Sequence, residues 1–361
     1  MDTIKVLLVD DSAVIRKVLG DALAADPQIE VIGTAVNGKI ALTELARLNP
    51  DIITLDIEMP EMSGLEVVRR IRESNREIPI IMCSSLTADG ASHTLEALAL
   101  GASDYVTKPS SHGVNTREVV GDELIRKIKC LAASVKTKRA PTIVTAGPTR
   151  SPSKDSHEIE AIAVGVSTGG PNALTDLLSC LPSNLNAPIV IVQHMPPIFT
   201  RLLAERLNDS CSLPVCEASH AQEVKPGHVY IAPGDKHMEI KRLLGRFLIS
   251  LNENPPENSC RPAVDVLFRS VAKVYGAHSA AVVLTGMGQD GLLGCQSIRE
   301  VGGSILVQDR QSSAVWGMPG AIVDAGLNPI VMSPGQIAKE LMSRVRPRTS
   351  ASTTENCVRR G

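Results

Sequence analysis

The sequence predicts an α/β protein built from two doubly wound domains, each a parallel sheet with helices on both faces. Apolar strand segments alternate with helical patterns over the first 130 residues, and the alternation resumes at about residue 158. Repeated strand-then-helix units favour open parallel sheets. A segment rich in proline, serine and basic residues separates the two alternations and is typical of a linker. The length of 361 residues agrees with roughly two domains.

These patterns place a first domain at 1–125, a helix end and flexible linker at 126–157, a second domain at 158–345 and a polar tail at 346–361. The first domain is predicted to have strands at 4–9, 31–35, 51–55, 78–84 and 104–107, with helices at 12–25, 38–48, 64–73, 91–100 and 117–133. The second is predicted to have strands at 159–166, 188–193, 280–285 and 304–308, with helices at 172–181, 199–207, 264–274 and 292–301. The shorter strands and turns of 213–251 predict an antiparallel insertion.

The composition excludes several classes of function. A formal net charge of −2 and 2% aromatic residues argue against a nucleic-acid partner. No apolar run approaches the roughly 20 residues that span a bilayer, and the amino terminus lacks a signal-peptide layout. Eight cysteines without a Cys-x-x-Cys pair indicate reduced thiols. We therefore expect a cytoplasmic monomer without direct membrane insertion, in which the basic linker is a solvated tether rather than a site for an acidic partner.

Polar residues follow successive strands of the first domain. Asp10 and Asp11 follow the first strand and Asp56 the third, while Ser84 ends the fourth and Lys108 follows the fifth. Ligands of doubly wound sheets bind beyond the carboxyl ends of the strands, so these side chains should converge. Clustered carboxylates suit Mg²⁺, and the hydroxyl and ammonium suit the oxygens of a phosphorylated Asp56. Capping of the first helix is the alternative role for either of the first two aspartates taken alone.

The first domain resembles the receiver domain of response regulators. The matching motifs are Val-Asp-Asp-Ser, Asp56-Ile-Glu-Met-Pro, Ser84-Ser-Leu-Thr and Tyr105-Val-Thr-Lys-Pro. The resemblance implies a flavodoxin-like fold with five parallel strands, with Asp56 as phosphoacceptor, Asp10 and Asp11 as magnesium ligands and Tyr105 as an aromatic switch. A phosphoryl group adds about two negative charges at this edge, which can reorganise the surface around Ser84 and Tyr105.

In the second domain, Gly165-Val-Ser-Thr-Gly169 matches the Gly-x-Ser-x-Gly pattern of a nucleophile on a sharp strand-to-helix turn. Such turns also occur without chemistry, so the motif alone is weak. His194 ends the next strand and is the best-placed base for Ser167. Asp290 follows a later strand within a second glycine-rich turn. Capping of a turn by His194 and of a helix by Asp290 are the alternatives, but three strand-end residues together predict a Ser167–His194–Asp290 triad.

The second domain resembles the catalytic domain of the chemotaxis protein-glutamate methylesterases. The matching motifs are Ser167-Thr-Gly-Gly-Pro, Gln193-His-Met-Pro, Tyr230-Ile-Ala-Pro-Gly, Arg261-Pro, Val264-Asp-Val-Leu-Phe and Leu284-Thr-Gly-Met-Gly-Gln-Asp-Gly. The resemblance implies a Rossmann-like three-layer α/β/α domain. Two positions depart from the family pattern: Val166 replaces an alanine, and Cys260 replaces a common histidine, which we expect to affect only a peripheral contact.

The resemblance also implies hydrolysis of glutamate γ-methyl esters, and deamidation of certain glutamines, on chemoreceptors. A histidine kinase would be the phosphodonor, and the first domain would gate the second. We expect backbone N–H groups at Met287 and Thr168 to bind the oxyanion, and no metal at the catalytic site.

Two rival functions make different demands on the sequence. A DNA-binding response regulator needs a helix-turn-helix and a basic face after the linker, whereas the second half alternates strands and helices. A nucleotide-binding oxidoreductase needs a Gly-x-Gly-x-x-Gly loop at 165–170 and an acidic residue about 20 positions later. Ser167 breaks that glycine pattern, and the next strand ends in Gln193-His194 instead of an acid.

Overall fold

The computed structural model describes residues 3–74, 77–109, 117–139 and 157–345. Most of the predicted linker and the polar tail, residues 140–156 and 346–361, lie outside the described residues. Two parallel sheets flanked by helices confirm the predicted fold class. No helix in the described ranges is long and apolar enough to cross a bilayer.

The first sheet has the strand order β2-β1-β3-β4-β5, with every strand parallel to its neighbours. The chain order reverses between β1 and β3, so their carboxyl ends flank the crevice at which such sheets bind ligands. The elements are β1 (Ile4–Val9), α1 (Ala13–Ala24), β2 (Ile29–Ala35), α2 (Gly38–Leu48), β3 (Ile52–Asp56), α3 (Gly64–Glu73), β4 (Ile80–Ser84), α4 (Ala88–Ala99), β5 (Asp104–Thr107) and α5 (Arg117–Arg139).

The second sheet has seven strands, all parallel, in the order β14-β13-β12-β6-β7-β9-β8. Its elements are β6 (Ala161–Val166), α6 (Gly170–Leu178), β7 (Ile189–Gln193), α7 (Pro197–Ser210), β8 (Val215–Glu217), β9 (Val229–Ile231), β10 (His237–Leu243), β11 (Arg246–Asn252), α8 (Val264–Tyr275), β12 (Ser279–Val283), α9 (Leu292–Glu300), β13 (Ser304–Gln308), α10 (Met318–Asp324), β14 (Ile330–Met332) and α11 (Pro334–Arg344). A short 3₁₀ turn, Gly276–His278, precedes β12.

The central strand β6 is apolar at every position because both of its faces are covered. Ile162, Val164 and Val166 join one hydrophobic cluster, whereas Ala161 and Ala163 join the cluster on the opposite face. A strand buried on both sides reads as a continuous apolar run instead of an alternating one. The continuous apolar run therefore predicts a strand directly before the turn that carries Ser167.

The antiparallel insertion is smaller than the sequence predicts. Within 213–251, β8 and β9 extend the main sheet as parallel strands, and only β10 and β11 form an antiparallel hairpin. β8 and β9 have three residues each, too few for a periodic pattern to indicate which sheet they join. The sequence patterns also missed β14 and α10, which have three and seven residues, and the longer helix α11, which has 11.

Candidate functional site

Two groups of polar side chains lie beyond the carboxyl ends of the two parallel sheets. We call Asp10, Asp11, Asp56, Ser84 and Lys108 the acidic rim. Ser167, His194 and Asp290 form the serine rim.

At the acidic rim, a single ammonium group bridges two buried carboxylates. Nζ of Lys108 lies 2.7 Å from Oδ2 of Asp56 and 3.1 Å from Oδ2 of Asp10. From the other described residues, Asp56 accepts one hydrogen bond, at Oδ1 from the N–H of Ile57 (2.7 Å). Burial raises the pKa of Asp56 to about 6, and the charge of Asp10 adds to this rise while Lys108 opposes it. Asp56 is therefore a poorly solvated carboxylate with few donors.

The carboxylate oxygens of the acidic rim fit a small, hard cation. Asp10, Asp11 and Asp56 each offer an oxygen, and these atoms lie within 4.8 Å of one another. Oδ2 of Asp10 and Oδ2 of Asp56 are buried and, despite the nearby ammonium, accept no well-oriented hydrogen bond from the described residues. Mg²⁺ prefers oxygen ligands and retains several waters, which the exposed Asp11 side leaves room for.

The other two residues of the predicted phosphorylation site point elsewhere. Ser84 Oγ donates to the carbonyl of Gly90 (3.1 Å) and accepts from Thr94 Oγ1 (2.6 Å), so the hydroxyl is engaged by α4. Tyr105 is buried, and its ring stacks on Phe199 of the second domain with centroids 4.5 Å apart. The acidic rim thus connects to the second domain through α4 and β5.

At the serine rim, strand register brings Ser167 and His194 side by side. Val166 pairs with Gln193, so Ser167 and His194 are the next residues of adjacent strands, and the His194 N–H donates to the Val166 carbonyl (3.2 Å). The turn after Ser167 requires glycine at 169, where φ is +76° and a Cβ would lie 2.4 Å from that of Ala314. The sequence thus forms a tight turn that leads directly into α6.

His194 and Asp290 are in direct contact. Nε2 of His194 lies 2.8 Å from Oδ2 of Asp290, so Nε2–H donates a hydrogen bond to the carboxylate, and Nδ1 is the nitrogen on the opposite side of the ring from Asp290. Burial alone would lower the pKa of His194, but the hydrogen bonds with Asp290 and Cys260 outweigh it and raise the pKa above its usual range. Among the described residues, Ser167 Oγ forms no hydrogen bond with His194; its partner on this ring would be Nδ1.

Asp290 is saturated with donors. Its oxygens accept the N–H groups of Val264 (2.7 Å) and Asp265 (3.0 Å) at the start of α8, the N–H of Gly291 (3.0 Å) and Nδ2 of Asn258 (3.0 Å). The side chain therefore binds the amino terminus of α8, which lacks a capping side chain of its own, instead of capping α9. Burial raises the pKa of Asp290, but His194 and these N–H groups lower it overall.

Two residues that sequence reasoning did not place at the serine rim come from the turn before α8. Asn258 binds both Asp290 and Asp265, and Cys260 Sγ lies 3.6 Å from Nδ1 of His194. The expectation that Cys260 affects only a peripheral contact is therefore wrong. Consecutive left-handed residues, Asn258 (φ 51°) and Ser259 (φ 61°), form this turn, and only the asparagine is a sequence signal for it.

The two candidate oxyanion donors have free N–H groups but occupied side chains. Neither Thr168 N–H nor Met287 N–H has an acceptor within the described parts of the chain. Thr168 Oγ1 donates to Oδ2 of Asp104 in the first domain (2.7 Å), and the Met287 side chain packs against a hydrophobic cluster of that domain. The first domain therefore contacts the residues next to Ser167 directly.

The domain contact continues along α4 and α5. Asn172 Nδ2 donates to the Leu98 carbonyl (2.8 Å). Lys127 of α5 forms an ion pair (3.2 Å) with the same oxygen of Asp104 that accepts the Thr168 hydrogen bond. Val315, from the loop after β13, joins the same cluster as Val106 of β5. The interface thus combines stacked aromatic rings, buried polar bonds and a shared apolar cluster.

Comparison with known proteins finds a matching family for each of the two domains. Residues 162–341 match the family model of the CheB methylesterase, and residues 6–117 match that of the response regulator receiver domain. A protein-glutamate methylesterase/protein-glutamine glutaminase of Trichodesmium erythraeum is 47% identical over 96% of this chain and 100% of its own length. The Salmonella typhimurium relative of the same name is 41% identical over 96% of this chain and 98% of its own.

Among solved structures, the Thermotoga maritima CheB methylesterase catalytic domain matches with a TM-score of 0.51 and 41% identity. It covers 52% of this chain and 99% of its own chain. Fold and relatives together define a hydrolase that carries a response regulator receiver domain. The chain belongs to the family of protein-glutamate methylesterase/protein-glutamine glutaminases.

Proposed function

We propose that this protein removes methyl groups from glutamate γ-methyl esters of chemoreceptors, and deamidates specific receptor glutamines, during chemotactic adaptation. Ser167 is the nucleophile, His194 the base and Asp290 the group that orients the imidazole. The observation that carries this proposal is the 2.8 Å contact of His194 Nε2 with Asp290, beside the strand-paired Ser167.

The proposed reaction begins when Ser167 Oγ attacks the ester carbonyl and passes its proton to His194 Nδ1. Asp290 holds the Nε2–H tautomer and stabilises the imidazolium. Thr168 and Met287 N–H groups donate to the oxyanion, each worth roughly 3–4 kcal/mol. The imidazolium then returns the proton to the leaving group, which departs as methanol, or as ammonia from glutamine. Water hydrolyses the acyl-enzyme by the same proton transfers and leaves a carboxylate.

The unphosphorylated first domain restrains this chemistry. Its Asp104 holds the Thr168 hydroxyl, and its apolar cluster covers Met287, so both oxyanion candidates carry contacts to the receiver domain. A phosphoryl group on Asp56 would attract Ser84 Oγ, which now binds Gly90 and Thr94. Release of Ser84 from α4 loosens a helix that packs against α6 and α7 of the second domain.

The proposed phosphorylation uses Mg²⁺ and a chemotaxis histidine kinase. Asp10, Asp11 and Asp56 would hold Mg²⁺, which would supply positive charge to offset the negative charge of the incoming phosphoryl group. Lys108 stays charged, because its contacts with Asp56 and Asp10 raise its pKa although burial acts in the opposite direction. We also propose a cytoplasmic location, since every cysteine within the described ranges is a free thiol.

Methanol release from methylated receptor tests the proposal. Wild type should release methanol and respond to a small-molecule phosphodonor, whereas Ser167→Ala and His194→Ala should lose roughly 10⁴–10⁶-fold in kcat. Asp56→Ala should keep the basal rate and lose the response. His228→Ala and Ser210→Ala, which change a half-buried histidine next to β9 and a serine at the end of α7, are the matched controls. Full activity of Ser167→Ala would overturn the proposed nucleophile.

A further inference from the structure

Cys260 and His194 are arranged as a pair of metal ligands at the serine rim. Their Sγ and Nδ1 atoms are 3.6 Å apart. Zinc binds thiolate sulfur at about 2.3 Å and imidazole nitrogen at about 2.0–2.1 Å, and a tetrahedral angle between these bonds separates the two ligand atoms by about 3.6 Å. The observed distance, at which the thiol can also hydrogen-bond to Nδ1, therefore matches the separation expected of two ligands of one zinc ion.

We propose that His194 Nδ1 and the Cys260 thiolate bind Zn²⁺ and that the bound ion inhibits the enzyme. Thiolate and imidazole select zinc over Mg²⁺, which prefers the oxygen ligands of the acidic rim. Binding releases to solvent the proton of the Cys260 thiol and, where the ring is an imidazolium, the proton on Nδ1, because zinc binds a thiolate and a neutral imidazole. Water completes the coordination of the ion.

Asp290 supplies the support that histidine ligands of zinc usually have. A metal-bound histidine almost always donates its other N–H to a carboxylate or carbonyl, which fixes the tautomer and raises the basicity of the ligand. Here Nε2 donates to Asp290 at 2.8 Å, and Asp290 itself is fixed by main-chain N–H groups of α8. All three residues offer ligand atoms within 4.8 Å of one another.

The turn that carries Cys260 is preorganised. Glu257 and Cys260 exchange two main-chain hydrogen bonds (3.1 and 2.8 Å) around the left-handed residues Asn258 and Ser259. Asn258 is also tied to Asp290, so the thiol is held beside the imidazole without any rearrangement. Both Cys260 and His194 are partly exposed, which gives an ion access to them.

Zinc would inhibit ester hydrolysis because it would occupy the lone pair of His194 Nδ1. Nδ1 is the atom that accepts the Ser167 proton in the proposed reaction, so a bound ion removes the base. This part of the inference rests on the proposed function, whereas the metal site rests only on the geometry of Cys260, His194 and Asp290.

Cobalt binding to the full-length protein tests the site without any reference to activity. Wild type and Cys180→Ser, which removes an exposed thiol elsewhere in the second domain, should develop a thiolate-to-cobalt charge-transfer band that zinc abolishes. Cys260→Ser and Cys260→Ala should lack the band while circular dichroism and phosphorylation of Asp56 remain intact. Absence of the band in wild type, or its persistence in the folded Cys260 variants, would overturn the site.

Zinc inhibition of methanol release tests the consequence, with each variant normalised to its own metal-free rate. Removal of a residue that supports a metal ligand typically lowers metal affinity roughly 10–100-fold, and removal of the ligand itself should lower zinc affinity at least as much. Cys260→Ser should therefore raise the half-inhibiting zinc concentration at least tenfold relative to Cys180→Ser. Equal inhibition of both variants contradicts the proposal. A wild type that shows the cobalt band but releases no methanol would refute the proposed function and leave the metal site standing.

Discussion

Both rims contain buried aspartates beyond or at the carboxyl ends of parallel strands, yet the surroundings of Asp56 and Asp290 are opposite. Among the described residues, Asp56 accepts one main-chain hydrogen bond and forms an ion pair with Lys108, and burial raises its pKa to about 6. Asp290 accepts from an imidazole, an amide and three main-chain N–H groups, and its pKa is lowered. A carboxylate with few donors keeps lone pairs available for reaction, whereas a saturated one can only orient its neighbours.

Reciprocal amide substitutions provide the strongest test of this contrast. Asp290→Asn should reduce methanol release by roughly 10⁴-fold, because an amide no longer holds the required imidazole tautomer. Phosphoryl incorporation from a phosphodonor should be unaffected. Asp56→Asn should do the reverse, so each variant is the control for the other. Loss of basal methanol release in Asp56→Asn would contradict the separation of roles between the rims.

Stacking between the domains should have a smaller effect, and one that raises activity. Tyr105→Ala removes the ring that contacts Phe199, and aromatic pairs contribute about 0.5–1.5 kcal/mol. The unphosphorylated enzyme should therefore become roughly 2–12-fold more active, as measured by methanol release without phosphodonor.

A variant of the opposite domain checks that result. Asn172→Ala removes the donor to Leu98 and should also raise basal activity, whereas Asn184→Ala, in an exposed loop, should leave it unchanged. A fall in activity for both interface variants would show that the receiver domain supports the serine rim instead of restraining it.

The smallest expected effect is on the pH dependence of kcat/KM, compared between wild type and Asp290→Asn. His194 acts as a base only when neutral, and Asp290 raises its pKa, so kcat/KM should increase with pH through an apparent pKa above the ordinary value of about 6.5. In buffer treated with a chelator, Asp290→Asn should shift the remaining activity to a lower apparent pKa. An unshifted profile would mean that the observed pKa belongs to another group.

The residues of both rims were predictable because they end strands or lie in the turns that directly follow them. Successive strands of a doubly wound sheet bring their carboxyl ends to one edge, so Ser167, His194 and Asp290 could be grouped before any distance was known. Asn258 and Cys260 could not be grouped with them, because a turn of two left-handed residues places them and no periodic pattern reports such a turn. The main-chain donors to Asp290 at the start of α8 were missed for a different reason, since they lie far from Asp290 in the sequence and no periodic pattern links the two segments.

The contacts of Thr168 have a thermodynamic consequence for the whole molecule. Its hydroxyl is bound by Asp104 of the receiver domain, and its N–H is the proposed oxyanion donor, so substrate and receiver domain would compete for one short segment. Binding equilibria that influence each other do so by equal factors in both directions. If phosphorylation favours substrate binding, a bound receptor must favour the undocked and phosphorylated form to the same extent. Methylated receptors would then act on this enzyme as effectors as well as substrates.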